Sequence, residues 1–238
     1  VLPNFFIVGA AKSGTSSLDR YLSQHPEIFL SAKKESHYFA IPSFPPRFQG
    51  PGDEGMNMFT IRDRQEYLRL FESVGAEKAV GESSVFYLYY PDAARRIQEE
   101  IPAAKIIILL RNPVNRAFSA YMHLIRDERE DLDFASSLER EQTRKALHYE
   151  PLWYYKELGL YANQVRNYIE TFGPEQVKIL LFEEFVTNPQ QALAEVFGFL
   201  GVNTDFTIDT SVKHNESGVP KSRWIYNLIT KPNGIKEW

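Results

Sequence analysis

Asn4-Phe-Phe-Ile-Val-Gly-Ala-Ala-Lys-Ser-Gly-Thr-Ser-Ser-Leu18 decides how this chain is read. Its apolar run, Phe5 to Val8, has the length and residue types of a buried strand. The run stops at Gly9, two alanines follow, and then Lys12-Ser13-Gly14-Thr15-Ser16. Beyond the loop Leu18, Tyr21 and Leu22 recur at i, i+3 and i+4, the period of a helix with one buried face. A strand, a glycine turn and a helix start aim backbone N–H groups and the positive end of a helix at one spot, which suits a phosphate or another anion. The loop departs from the nucleotide-triphosphate motif G-x-x-x-x-G-K-[ST], because Lys12 precedes Gly14 and Thr15 follows it directly. The hydroxyl that would hold magnesium is out of register.

Further along, the same alternation continues. Lys105-Ile-Ile-Ile-Leu-Leu110 is an unbroken apolar strand, as expected where both faces of a parallel sheet are covered. It runs into Arg111, with Asn112 and Pro113 suited to cap and open a helix carrying Ala117, Phe118, Tyr121 and Leu124. Glu27–Leu30, Lys78–Val80 and Val177–Phe182 supply three more strands, the last expected to be buried. Asp63, Pro91 and Asn188-Pro189 mark helix starts. Residues 41–58, rich in Pro and Gly, predict a long irregular loop, and the charges of 126–133 predict a solvated connection. Strands alternating with helices predict an α/β chain: a central, mainly parallel sheet flanked by helices, with a P-loop-like strand–loop–helix. Lys12, Glu82 and Arg111 each follow a candidate strand, so one edge of that sheet can gather all three.

Composition narrows the classes. At 238 residues with 43% hydrophobic and 24% charged residues, one domain over 1–238 suffices. A net charge of −4 argues against nucleic-acid and anionic-membrane partners, and no run is long enough to insert into a membrane. With no cysteine, disulfides and thiolate metal sites are excluded, which favours a reducing, cytoplasmic setting. The start at Val1 fits a trimmed N-terminus or a domain of a longer protein.

Arg111-Asn-Pro-Val-Asn-Arg-Ala-Phe-Ser119, about a hundred residues after Ala11-Lys-Ser-Gly-Thr15, resembles the sulfotransferase family. The resemblance covers nearly the whole chain. It implies 3′-phosphoadenosine 5′-phosphosulfate (PAPS) as donor: Lys12, Ser13, Gly14, Thr15 and Ser16 around the 5′-phosphosulfate, Arg111 and Ser119 on the 3′-phosphate, and no metal. Lys34-Glu-Ser-His-Tyr-Phe39 is similar to the Lys-Glu-x-His-Phe-Phe stretch of heparan sulfate sulfotransferases, where the glutamate is the proposed base; Glu35 is the first choice here and His37 the second. Asn215–Ser222 falls where the family has a cofactor-covering loop, making Lys213, Gly218 and Lys221 looser candidates. The implied acceptor bears a hydroxyl or an amine, on a glycan or on a small or carrier-bound molecule. The glutamate motif leans to a glycan, and the lack of cysteine leans away from an animal Golgi enzyme. Two other readings compete: a nucleotide-kinase-like phosphotransferase, which needs magnesium ligands and a Gly-Lys-Thr register, and a nucleotide-binding module that keeps Lys12 and Arg111 without using Glu35.

Overall fold

The computed structural model describes residues 1–211. Five strands, β1 (Phe5–Gly9), β2 (Ile28–Leu30), β3 (Ala79–Ser83), β4 (Lys105–Leu110) and β5 (Val177–Leu181), form one sheet in the order β2-β3-β1-β4-β5. Every pairing is parallel. Among the described residues the helices are α1 (Thr15–Leu22), α2 (Glu54–Phe59), α3 (Arg64–Arg69), α4 (Pro91–Glu100), α5 (Pro113–Arg126), α6 (Phe134–Glu139), α7 (Glu141–Ala146), α8 (Tyr161–Phe172), α9 (Phe182–Thr187) and α10 (Pro189–Leu200), with short 3-10 turns between some of them.

Side chains alternate across a strand, so each strand feeds two layers. Phe6, Val8, Val80, Ile106 and Ile108 face a core shared with Tyr67, Ile97, Tyr168 and Phe172 from the helical side α3, α4 and α8. Phe5, Ile7, Ile107 and Leu109 face the opposite layer, where α1 contributes Leu18, Tyr21 and Leu22 and α10 contributes Leu193, Val196 and Phe197. Leu18 and Leu22 are fully buried, each contributing roughly 1.5–3 kcal/mol. Strand β3 approaches β1 closely: a Cβ on Gly81 would stand 2.1 Å from the Phe5 ring, so this position takes no larger residue.

The capping signals hold. Asn112 Oδ1 accepts from the amides of Val114 and Asn115, Pro113 is the first residue of α5, and Asp63 accepts from Glu66 N at 2.9 Å. Three expectations need correction. The 41–58 stretch is not wholly irregular: it holds a 3-10 turn reaching Ser43 and the start of α2, which buries none of its side chains. The 126–133 run is not simply solvated. Glu130 is buried and takes both guanidinium nitrogens of Arg144 at 2.7 Å, while Arg129 ion-pairs with Asp53 and Glu150. Strand β5 is an edge, not a buried strand; Ile179 and Leu181 remain exposed, and among the described residues no further strand pairs beyond it.

Candidate active site

Strand order decides which loops meet. β1 and β4 are neighbours, yet the chain leaves β1 toward β2 and leaves β4 toward β5. The crevice beyond their carboxyl ends is therefore a switch point, the place where α/β sheets hold ligands. Ala10 N donates to Leu109 O at 2.8 Å across this crevice, and Arg111 Nη1 donates to Lys12 O at 3.2 Å. The two motifs are thus joined directly. A cavity of about 1380 Å³ opens here, lined by Lys12, Gly14, Thr15, Ser16, Arg111 and Ser119, and also by Glu35 and His37.

Gly14 has φ +91°, and a Cβ there would stand 2.8 Å from the Phe182 ring. Only glycine admits both the backbone and the ring. Its carbonyl accepts from Ser17 N and Leu18 N, so the first turn of α1 is set by Gly14. Ser13 differs from the other loop residues. Its side chain is fully buried, it does not line the cavity, and its amide donates to Ala10 O at 3.2 Å. Ser13 closes the turn, which leaves the amides of Gly14, Thr15 and Ser16 at the helix start as anion donors.

Positive charge is concentrated at this point of an acidic chain. Burial, then the nearby charge of Arg126, lowers the Lys12 ammonium to about 8, with Arg111 and Arg116 adding to the effect against an opposing Asp127. Arg111 lies over the Phe182 ring at 4.5 Å, and its buried Nε has no partner among the described residues. Such mutual crowding of cations is costly unless an anion enters. Ser119, His123 and Arg126 lie on one face of α5 at i, i+4 and i+7 and all line the cavity. His123 Nδ1 is 2.5 Å from Arg126 Nη2, and burial, then Lys12, holds its imidazole down to about 4. The sequence reads His123 as a structural histidine on a helix and Arg126 as part of a solvated run; helical spacing from Ser119 is the signal that puts both on the cavity. Gly218 and Lys221, with Lys213, lie outside the described residues.

Glu35 and His37 come from the segment after β2, held against the loop after β3. Glu35 N donates to Ser83 O at 2.9 Å, and Val85 N donates to Glu35 Oε2 at 2.9 Å. His37 Nε2 stands 3.4 Å from the same Oε2, and its ring stacks on Phe86 at 5.1 Å. Both contacts fall on Oε2 rather than Oε1. Although 36% of its side chain stays accessible, enclosure raises the Glu35 carboxyl to about 7, with Lys34 opposing. Burial lowers His37 to about 3, so its imidazole is neutral beside the carboxylate. Lys12, Glu35 and His37 all have left-handed backbones, with φ of 67°, 59° and 52°. Glu128 and His148 share that conformation in turns away from this segment. A strained backbone persists only where surrounding bonds fix it.

Glu82 supplies much of that fixing. It does not stand at the open edge, as the sequence pattern suggests, because β3 runs on to Ser83 and buries it completely. Ser36, Ser84, Tyr67 and Tyr87 hydroxyls donate to its carboxylate at 2.5–3.1 Å. Ser84 Oγ in turn accepts from His37 N, and Tyr87 Oη accepts from Phe39 N. Glu82 is a positioning residue for the Glu35–His37 segment. Glu82→Ala should cost about 3 kcal/mol or more in urea unfolding, because buried hydroxyls lose their acceptor. A loss under about 1 kcal/mol would show that the network carries no weight.

A phosphate-loop α/β fold with a cationic crevice and a carboxylate across it is suited to an anion. The sequence model of the sulfotransferase family matches residues 3–206, and the chain belongs to that family. Its backbone superposes on the crystal structure of a sulfotransferase from Alicyclobacillus acidocaldarius with a TM-score of 0.88 at 62% identity, over 90% of this chain and 87% of that one. It is 24% identical to a membrane-associated sulfotransferase of Dictyostelium discoideum over 98% of this chain and 64% of the relative. It is 27% identical to bifunctional heparan sulfate N-deacetylase/N-sulfotransferase 3 of Mus musculus over 86% of this chain and 23% of that protein. The chain therefore spans less than two thirds of either relative. Among the described residues, no helix is long and apolar enough to cross a membrane.

Proposed function

We propose that this chain moves a sulfuryl group from PAPS to a hydroxyl or amine of a glycan or of a small or carrier-bound acceptor. The observation that carries the reading is the meeting of Lys12, Arg111 and Glu35 on one cavity, from loops after three different strands. The residues fit the donor: cations crowd Lys12, Arg111 Nε has no partner among the described residues, and a glycine shapes the loop. Bound there, the donor supplies the sulfuryl group and departs as adenosine 3′,5′-bisphosphate. The amides of Gly14 to Ser16 and the positive end of α1 hold its 5′-phosphate side. Arg111 and Ser119 hold the 3′-phosphate by charge-assisted and hydroxyl hydrogen bonds. Lys12 offsets negative charge growing on the leaving bridge oxygen. Glu35 Oε1 takes the acceptor proton as the new bond forms, while His37 and Val85 N keep its other oxygen in place. A lack of cysteine keeps a reducing, cytoplasmic setting within this reading.

In-line transfer between two oxygens asks mainly for positioning and charge, as phosphoryl transfer does. The relative named as a heparan sulfate N-sulfotransferase supports the same class of reaction. Lys12 precedes Gly14, so the loop has no magnesium register. With labelled PAPS and an acceptor panel, transfer should therefore persist in excess EDTA. Strict dependence on a divalent ion would favour the phosphotransferase reading instead.

A further inference from the structure

The cavity is larger than one ligand needs. Single-ligand sites span about 300–1,000 Å³, and this one measures about 1380 Å³. Its linings are sorted by chemistry. Lys12 senses the charges of Arg126 and Arg111, and His123 those of Lys12 and Arg126; these residues mark the donor end. Beside Glu35 the wall is apolar: Met56, Val85, Phe86 and Leu152 belong to one packed cluster and also line the cavity. Phe86 stacks on His37, and Val85 N holds Glu35, so this surface touches both residues directly.

Helix α2 extends the same wall. Thr60 Oγ1 donates to Met56 O at 2.6 Å, and Ile61 N donates to Ser36 O at 3.0 Å, which ties the end of α2 to the Glu35 segment. Met56 packs on that cluster, whereas the last two apolar side chains of α2 face outward: Met58 is 69% and Phe59 is 62% exposed. Phe59 lines the cavity. The two lysines of this segment lie beside carboxylates, Lys33 3.3 Å from Glu66 and Lys34 3.7 Å from Asp19, and the buried Lys34 Nζ makes no hydrogen bond among the described residues.

We propose that the acceptor hydroxyl is carried on an apolar body, an alkyl or aromatic alcohol seated against Met56, Phe59, Val85, Phe86 and Leu152. The proposal rests on the sulfotransferase reading of Lys12 and Glu35. The hydroxyl reaches Glu35 Oε1, gives up its proton there and forms the new O–S bond as the bond from sulfur to the donor's phosphate oxygen breaks. The apolar body displaces water from the wall.

The test measures transfer from PAPS to butanol, hexanol, octanol and 2-naphthol, and to cellotetraose and N-desulfated heparin. Binding of adenosine 3′,5′-bisphosphate is followed by calorimetry on the same protein. kcat/KM should rise along the straight-chain series by about fourfold per methylene that reaches the wall. Octanol should exceed both saccharides by roughly tenfold or more. Phe59→Ser, at an exposed side chain of α2, should raise KM for octanol and leave bisphosphate affinity unchanged. A flat alcohol series, or preference for either saccharide, overturns the acceptor class. Tight bisphosphate binding without transfer to any alcohol overturns it too, and leaves the donor assignment standing. Failure to bind the bisphosphate takes down the sulfotransferase reading beneath it.

Discussion

Lys12→Ala is expected to lower the turnover number by roughly a hundredfold or more, the scale of losing one preorganised charge donor. The fold should be intact, because the loop is held by main-chain bonds that the substitution leaves in place, the one from Arg111 Nη1 to the Lys12 carbonyl among them. The ammonium titrates near 8 in the free protein, since burial and Arg126 work against its charge. Its protonated form is the useful one, so kcat/KM should fall as the pH rises through about 8. Saturating anionic donor favours the charged form, so the corresponding limb of kcat should lie higher. A mutant with near-normal turnover would remove Lys12 from the chemistry.

Glu35→Gln should lose rate by roughly a hundredfold or more while keeping donor affinity, because Gln matches the shape but cannot accept a proton. Enclosure raises the carboxyl to about 7, and only the ionised form acts as base. kcat/KM should therefore drop as pH falls through about 7, and with the Lys12 limb the wild-type profile is a narrow bell between about 7 and 8. Glu35→Gln should erase the acidic limb and leave the alkaline one. His37 contributes no limb in this range, because burial holds its imidazole neutral down to about 3. An active Glu35→Gln together with a dead His37→Ala would reverse the two roles.

Much of this site is legible in the amino-acid sequence. Phe5–Val8 and Lys105–Leu110 are apolar runs without breaks, and local signals place Lys12 and Arg111 at their ends. That these strands are neighbours is a tertiary fact, fixed by β1–β4 pairing, and no local pattern carries it. The charges of 126–133 mislead for the same reason. Arg129 finds Asp53 at a separation of 76 residues, and Glu130 finds Arg144 at 14, so charge density alone reads as solvation. Glu82 is misplaced by one strand boundary: the continuation of β3 to Ser83 turns an edge carboxylate into a buried anchor. Strand β5 is as apolar as β4, but covering depends on what lies beside a strand, and β5 ends the sheet. Helix α2 is hidden by the prolines and glycines around it.

The central claim is that the Arg111–Ser119 pair reads a 3′-phosphate beside the Lys12 loop, and calorimetric titration tests it most directly. A charge-assisted hydrogen bond contributes about 1.5–3 kcal/mol. At ~1.4 kcal/mol per tenfold, adenosine 3′,5′-bisphosphate should bind wild type at least ~10-fold more tightly than 5′-AMP. Arg111→Ala should abolish most of that preference and change 5′-AMP affinity little. Equal affinity of the wild type for the two nucleotides would contradict the donor assignment itself, not only the role of Arg111.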